Sequence, residues 1–355
     1  MKRKIENNFN LFQERIFNSL LKFLLSSFLV ISFFYISPVV INFSDKNFTN
    51  KEFTNKSKKI LAYTLNSNEE NIDQNLPENE DELLVDIYSL NNTESESVYL
   101  SASRINKLFK ETEYDLNDVR KKKLVKPVAL TLLPNELKMI QNTKKRKEFF
   151  IQIVLPLILK ENNIIKKDRR TLFKIINKSN NTVSEINWLE KKYKQYGVKS
   201  KDLTTLKIRM DEIPVSLAIA QAAKETGWGT SRFAQEGNAL FGQWTWNGDG
   251  IKPSGAEDDS THKVMRFKVL QASVKAYQRN LNTHSSYKGF RSARAELRDD
   301  GKKLDSMILS EYLDKYAETG KEYVKILQQI IRQNELSDFD DAKLLPSSID
   351  LESLI

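Results

Sequence analysis

The chain has no cysteine and two histidines, His262 and His284, in 355 residues. Without cysteine there is neither a disulfide framework nor a thiolate metal site, and the redox compartment cannot be read from thiol usage. The histidines do not have H-E-x-x-H spacing and neither stands beside a G-x-S-x-G turn. Zinc hydrolysis and a serine triad therefore lack their residues. No glycine-rich phosphate loop joins a strand pattern to a helix pattern, so neither metal nor cofactor is expected. Acidic charge is short of basic charge: 47 Asp and Glu face 56 Lys and Arg, a net of +9. Such an excess suits an anionic partner. The basic residues are spread along the chain rather than interleaved with aromatics, which argues against nucleic acid. The oligomeric state cannot be read from the sequence.

Long uncharged runs are also rare, and the one at the amino terminus therefore carries information. Phe23 to Ser44 bears no charge, and about 20 apolar residues cross a hydrocarbon core as a helix. Lys2, Arg3, Lys4, Arg15 and Lys22 precede it, favouring an orientation with the amino terminus inside. Residues 1–22 then form a basic cytoplasmic segment and 23–43 a single anchor in the inner membrane, with the rest of the chain in the periplasm or outside. A cleaved signal peptide is the rival reading, but no A-x-A-like site precedes Asp45. Residues 44–100 read as an acidic tether. From Leu65 to Leu100 there is no Lys or Arg, while acids recur from Glu69 to Glu96, and such one-sign, weakly apolar chain does not repay its ordering entropy. A short helix around Glu80 to Leu90 is the alternative within it.

The pattern changes at Ser101. Residues 101–198 read as a helical region in which Phe149 to Leu159 is apolar but too short to span a bilayer, with a kink expected at Pro156. In the domain 199–336, Ser200 is the expected cap of a short helix, and Pro214 the first-turn residue of the next, which Gly227 stops. "FGQWTWNGDGI" and "THKVMRFKV" read as two strands. Helical stripes return at Leu270, Val274, Tyr277 and Leu281, and at Tyr323, Ile326, Leu327, Ile330 and Ile331. Residues 337–355 are left as a tail. The class is mostly α, in an α+β arrangement with a small β excursion.

Glu225 falls in the last turn of the helix that Gly227 ends. There the macrodipole disfavours negative charge, and a neighbouring tryptophan should add to that, so the carboxyl is expected to hold its proton. Glycoside hydrolysis needs such an acid, together with a second carboxylate or a substrate group to support the sugar cation. Trp228, Asn238, Phe241 and Trp244 supply aromatic and amide types for holding sugar nearby.

"LAIAQAAKETGWGTSRFAQEGNALFGQW" resembles the peptidoglycan-cleaving glucosaminidase family of the lysozyme-like superfamily. The shared pattern is carried by Glu225, Thr226, Gly227, Trp228, Gly229 and Ser231, then Asn238, Phe241 and Gly242. Downstream, "FKVLQASVKAYQRNLNTHSSYKGFR" is similar to the Bax-protein branch of that family. The resemblance runs over about residues 120 to 335. It implies a lysozyme-like helical domain with a small β lobe, and cleavage of a β-1,4 bond next to N-acetylglucosamine in peptidoglycan strands. It also implies Glu225 as the general acid and a second carboxylate ahead of Thr261, for which Glu257 is chosen with Asp258 and Asp259 as rivals. Tyr316 matches a cleft tyrosine and Tyr323 one packed behind it. Trp228, Ser231, Asn238, Phe241, Gly242 and Trp244 are assigned to the substrate cleft, with Phe241 equally suited to the core. A glycan-binding module without turnover and an amidase acting on the stem peptide are the competing readings.

Overall fold

The helical periodicity beyond Ser101 is realised in the chain's backbone. A computed structural model describes Leu84, Asp86, Ile87 and residues 99–245, 250–252 and 263–346. The uncharged run 23–43, Trp246, Glu257, Asp258, Asp259 and His262 lie outside the described residues. Within those residues no helix is long and apolar enough to cross a membrane.

Helix α1 (Ala102–Glu111) starts at a Ser101 cap and α2 (Leu116–Lys122) at an Asp115 cap, followed by strand β1 (Leu124–Val125). Helix α3 (Thr143–Ile176) absorbs the apolar run 149–159 into 34 residues and is uninterrupted at Pro156. Proline deletes one backbone hydrogen bond. Here Phe150, Ile153, Val154, Leu155, Leu157 and Ile158 are buried around it, and a helix apolar on every side is held by its surroundings rather than by its own ladder. Helix α4 (Val183–Gln195) opens with a Thr182–Glu185 capping box. Helix α5 (Leu203–Arg209) is capped by Asp202, not Ser200: the helix begins two residues later than expected, and the Asp202 carboxylate accepts from the N–H groups of Thr204 and Thr205. Pro214 lies just outside α6 (Val215–Thr226), at its cap, and α7 (Arg232–Gly237) follows.

The first of the two expected strands is two. β2 (Trp244–Thr245) and β3 (Gly250–Ile251) both pair antiparallel with β4 (Lys263–Met265), giving the order β2-β4-β3 with Trp244 opposite Val264 and Gly250 opposite Met265. Helices α8 (Leu270–Thr283), α9 (Lys288–Asp299), α10 (Ser306–Ser310) and α11 (Lys321–Gln333) complete the helical body. Strand β5 (Lys343–Leu344) pairs in parallel with β1.

One apolar core takes in Ile105 and Phe109, the middle of α3, Leu217 and Ala220 of α6, Leu270, Val274, Tyr277 and Leu281 of α8, Tyr323, Leu327 and Ile331 of α11, and Phe339. Residues 101–198 and 199–336 thus share their interior, and no boundary falls at 198. Nor are residues 337–346 a tail, because Phe339 is fully buried and β5 is hydrogen-bonded to β1. A second cluster beneath the small sheet joins Val264, Met265 and Phe267 to Ile87, which is fully buried. Beside it Asp86 forms ion pairs with Lys275 at 2.9 Å and Arg279 at 3.0 Å. The acidic run expected to be an unbound tether therefore contacts the body at these residues. Buried basic partners and an apolar slot supply what its composition lacks.

Candidate active site

The end of α6 is fixed by local chemistry. Gly227, Trp228 and Gly229 all have left-handed backbone, with φ of 57°, 62° and 80°. The Trp228 N–H closes on the Ala223 carbonyl at 2.9 Å, as in a glycine-terminated helix. The Thr226 hydroxyl donates to the Ala222 carbonyl at 2.6 Å and accepts from the Gly229 N–H at 2.8 Å, tying the turn back to the helix. At Gly229 a Cβ would lie 2.4 Å from Leu137 Cδ2 and 2.9 Å from Phe150 Cδ2, so the turn packs directly on α3 and its approach. The start of α6 is tied from far away in sequence. Asp340 accepts from the N–H of Ser216 at 2.8 Å and from its hydroxyl at 2.7 Å. Burial raises the Asp340 carboxyl to about 6, against the opposing pull of those two bonds.

Between these ends α6 delivers Glu225, half-buried, to one side of the body. Its Oε1 accepts from the Tyr323 hydroxyl at 2.9 Å. Its Oε2 faces Gly242, where a Cβ would come within 3.3 Å; Gly242 has φ of 62°. Desolvation raises the Glu225 carboxyl above the usual carboxylate range, opposed by the Tyr323 hydrogen bond and by the charge of Lys224. The sequence assigned part of this effect to Trp228. The indole instead packs edge-on to Phe150 at 6.0 Å and lies under the Lys147 ammonium at 4.8 Å. The groups coupled to Glu225 are phenols: Tyr277, Tyr287, Tyr316 and Tyr323 are each held above the usual tyrosine range, first by burial and then in part by the glutamate's own charge. Tyr287 reaches about 12.

Tyr316 and Tyr323 stack with centroids 5.5 Å apart and planes 7° from parallel. The Tyr316 hydroxyl donates to the Phe241 carbonyl at 2.8 Å. It thereby ties the Phe241–Gly242 backbone to the stacked tyrosines beside the Glu225 carboxyl. Phe241 is buried, stacked on Tyr277 at 3.8 Å, so it belongs to the core and not to a sugar platform. Asn238 ends α7 with φ of 50°, is buried, and donates from Nδ2 to the Phe267 carbonyl at 2.9 Å. That amide joins the β lobe to α7 rather than facing sugar. Ser231 caps α7. These corrections share a cause, since the residue types that hold sugars are also the types that close short helices and fill small cores. Trp244 is 46% exposed on β2. His284 accepts from the Ser286 N–H through Nδ1 and caps a turn.

The sequence reading missed Gln221 and Tyr277 as parts of the site. The Tyr277 hydroxyl donates to Gln221 Oε1 at 2.7 Å, and Gln221 Nε2 donates to the Tyr323 oxygen at 3.1 Å. The available signal was a lone amide among the alanines of α6. Among the described residues no group of three or more histidine or acidic side chains is placed to hold a metal ion.

The pattern of the glucosaminidase family, described as mannosyl-glycoprotein endo-beta-N-acetylglucosaminidase, matches residues 201–336. The protein called Protein bax of Escherichia coli strain K12 is 32% identical over 196 residues, which is 54% of this chain and 70% of that protein. The crystal structure of the catalytic domain of the autolysin Auto from Listeria monocytogenes aligns with 49% of this chain and 97% of its own, at 19% identity and a TM-score of 0.29. A score that low establishes no common architecture, and relationship rests on the sequence matches. They define a glycoside hydrolase. More narrowly, the chain belongs to the glucosaminidase family, and Protein bax is a relative of it.

Proposed function

We propose that this glycoside hydrolase cuts the β-1,4 bond next to N-acetylglucosamine in peptidoglycan strands, with Glu225 as general acid. The observation that carries the reading is the state of that carboxyl: it is raised by desolvation at the end of α6, held through Oε1, and has Oε2 turned toward Gly242. A carboxyl so placed can, in its protonated form, hand its proton to a glycosidic oxygen as the bond breaks. The oxocarbenium-like sugar would be supported by a carboxylate of the loop holding Glu257, Asp258 and Asp259, or by the substrate's own N-acetyl group. A loop carboxylate about 5 Å from Glu225 would serve as a nucleophile, and one about 6.5 to 9.5 Å away would leave room for water. Trp228 and Trp244 would border the sugar, and Tyr316 would hold the wall that carries Gly242.

The net charge of +9 favours approach to a polymer bearing carboxylates. We further read residues 23–43 as an anchor in the inner membrane that leaves the hydrolase in the periplasm. Membrane fractionation with alkaline carbonate washing checks this: retention in the membrane supports the anchor, and release into the soluble fraction overturns it.

Digestion of purified murein with the full chain, read by mass spectrometry of the products, tests the activity. New reducing N-acetylglucosamine ends are expected, and Glu225→Gln should yield none. Free lactyl ends without reducing N-acetylglucosamine would establish amidase action instead. Glycan retention without any cleavage would mark a binding module.

A further inference from the structure

The hydroxyl that meets Glu225 is held at both sides. Tyr323 donates to Glu225 Oε1 at 2.9 Å while its oxygen accepts from Gln221 Nε2 at 3.1 Å. Gln221 Oε1 in turn accepts from the Tyr277 hydroxyl at 2.7 Å. Gln221 and Tyr277 are fully buried, so bulk water offers no substitute partner. The direction of this chain follows from its inner end. If the Gln221 amide were turned over, the Tyr277 hydrogen would face an amide nitrogen and lose its acceptor. An unmade hydrogen bond of a buried group leaves its desolvation uncompensated. At the outer end the single Tyr323 hydrogen would then lie between two acceptors, Gln221 Oε1 and Glu225 Oε1, and could satisfy one.

We propose that Gln221 and Tyr277 are positioning residues that commit the Tyr323 hydroxyl to Glu225 Oε1, and so make Oε2 the oxygen that carries and delivers the acid's proton. This deepens, and rests on, the reading of Glu225 as the general acid. In the neutral acid Oε1 is already an acceptor, so the hydrogen sits on Oε2, beside Gly242. As the glycosidic bond breaks, its electron pair goes to the leaving oxygen, which takes that hydrogen. The negative charge left on the carboxylate is met on Oε1 by a hydrogen bond already in place. Bonds to an ionised acceptor are roughly twice as strong as neutral ones, so the contact tightens as charge develops and needs no reorganisation. Gln221, one turn before Glu225 on α6, supplies the N–H that polarises Tyr323, and Tyr277 fixes which end of the amide points there.

Among the described residues, the groups coupled electrostatically to Glu225 are few. Tyr323 comes from α11, Tyr277 from α8, Tyr287 from the turn after α8, Tyr316 from the segment before α11, and Lys224 from α6 itself. Burial keeps the four phenols neutral. Reversing the Gln221 amide changes none of these charges and alters only the polarity of the Tyr323 bond.

The test is a titration of the full chain, 13C-labelled at the glutamate side-chain carboxyl, with the Glu225 signal assigned by its loss in Glu225→Gln. Tyr323→Phe and Tyr277→Phe should each move the Glu225 midpoint to higher pH, and Gln221→Met should move it the same way. The double variant Tyr277→Phe/Tyr323→Phe should move it no further than Tyr323→Phe alone, because Tyr277 acts through Tyr323. Where murein turnover is measured, the limb on which activity falls at high pH should follow the same order, with kcat in Tyr323→Phe down roughly ten-fold, the effect of losing about 1.4 kcal/mol of transition-state stabilisation. A Glu225 midpoint unmoved in both Tyr277→Phe and Gln221→Met, or shifts that add in the double variant, would overturn the proposal. Turnover absent from the parent alongside the stated shifts would instead overturn the murein reading.

Discussion

Two carboxyl groups are withdrawn from water near opposite ends of α6, and they ionise in opposite senses. Asp211, just before the helix, is 3% exposed and lies among three guanidinium groups. Arg298 donates to it at 3.1 and 3.2 Å, and Arg294 and Arg169 stand at 3.9 and 3.6 Å. Glu225, at the far end, has a phenol and a more distant ammonium. Desolvation is the largest influence on both and pushes both upward. At Asp211 the guanidinium charges outweigh it and hold the carboxyl below the usual range; at Glu225 nothing does. Burial alone therefore does not set the direction in which a carboxyl is shifted. The difference lies in what faces the carboxyl: formal positive charge fixes it as a structural ion, and a neutral donor leaves it able to hold a proton.

The largest way to break this contrast is to remove the proton itself. Glu225→Gln should lower turnover roughly 100- to 10,000-fold with little change in glycan retention, measured as reducing-end release beside murein co-sedimentation. Next comes the other acid. Asp211→Ala leaves Arg294, fully buried, without its counter-charge and should destabilise the fold by about 3–5 kcal/mol, read from urea unfolding. A loss under about 1 kcal/mol would show the cluster to be screened like a surface pair. A third acid, Asp340, sharpens the comparison because it is half-buried and faces Ser216 rather than a guanidinium. Its carboxyl ionises near 6 in the fold rather than near 3.8, so the fold favours its neutral form. Stability from this group should fall as pH rises from about 4 and stay low above about 6. Asp340→Asn keeps a carbonyl oxygen for the Ser216 N–H and should flatten that dependence, raising stability near pH 7 by on the order of 1 to 3 kcal/mol. The smallest effect should be on the fold of Glu225→Gln itself. Ionisation of Glu225 is disfavoured by folding, so stability it contributes falls as pH rises past about 4.5. The amide removes that dependence, and the variant should melt slightly above the parent at pH 7 and equal to it at pH 4.

The place of Glu225 in the last turn of α6 was legible because its cues are local: an alanine-rich helix, a glycine stop and a fixed spacing between them. The stripes of α8 and α11 were legible for the same reason: Leu270, Val274, Tyr277, Leu281, Tyr323, Leu327 and Ile331 are buried, while Ile326 and Ile330, at the edge of the α11 stripe, are half-buried. What sequence could not show is pairing at a distance. Ser216 meets Asp340 across 124 positions and Gln221 meets Tyr323 across 102, and nothing in either neighbourhood announces the partner. The division of one aromatic strand into β2 and β3 followed from pairing on both sides of β4, again a property of the partner. Asn238 and Phe241 were read by type alone, and type does not separate a sugar contact from a helix cap or a ring in the interior.

The tie between Asp340 and Ser216 bears on how much chain the catalyst needs. Residues 201–336 mark the family match, yet a protein trimmed to those limits would lose the remote carboxylate that begins α6 and the long α3 against which its turn at Gly229 rests. The span that identifies the hydrolase is thus smaller than the span that keeps its acid in place.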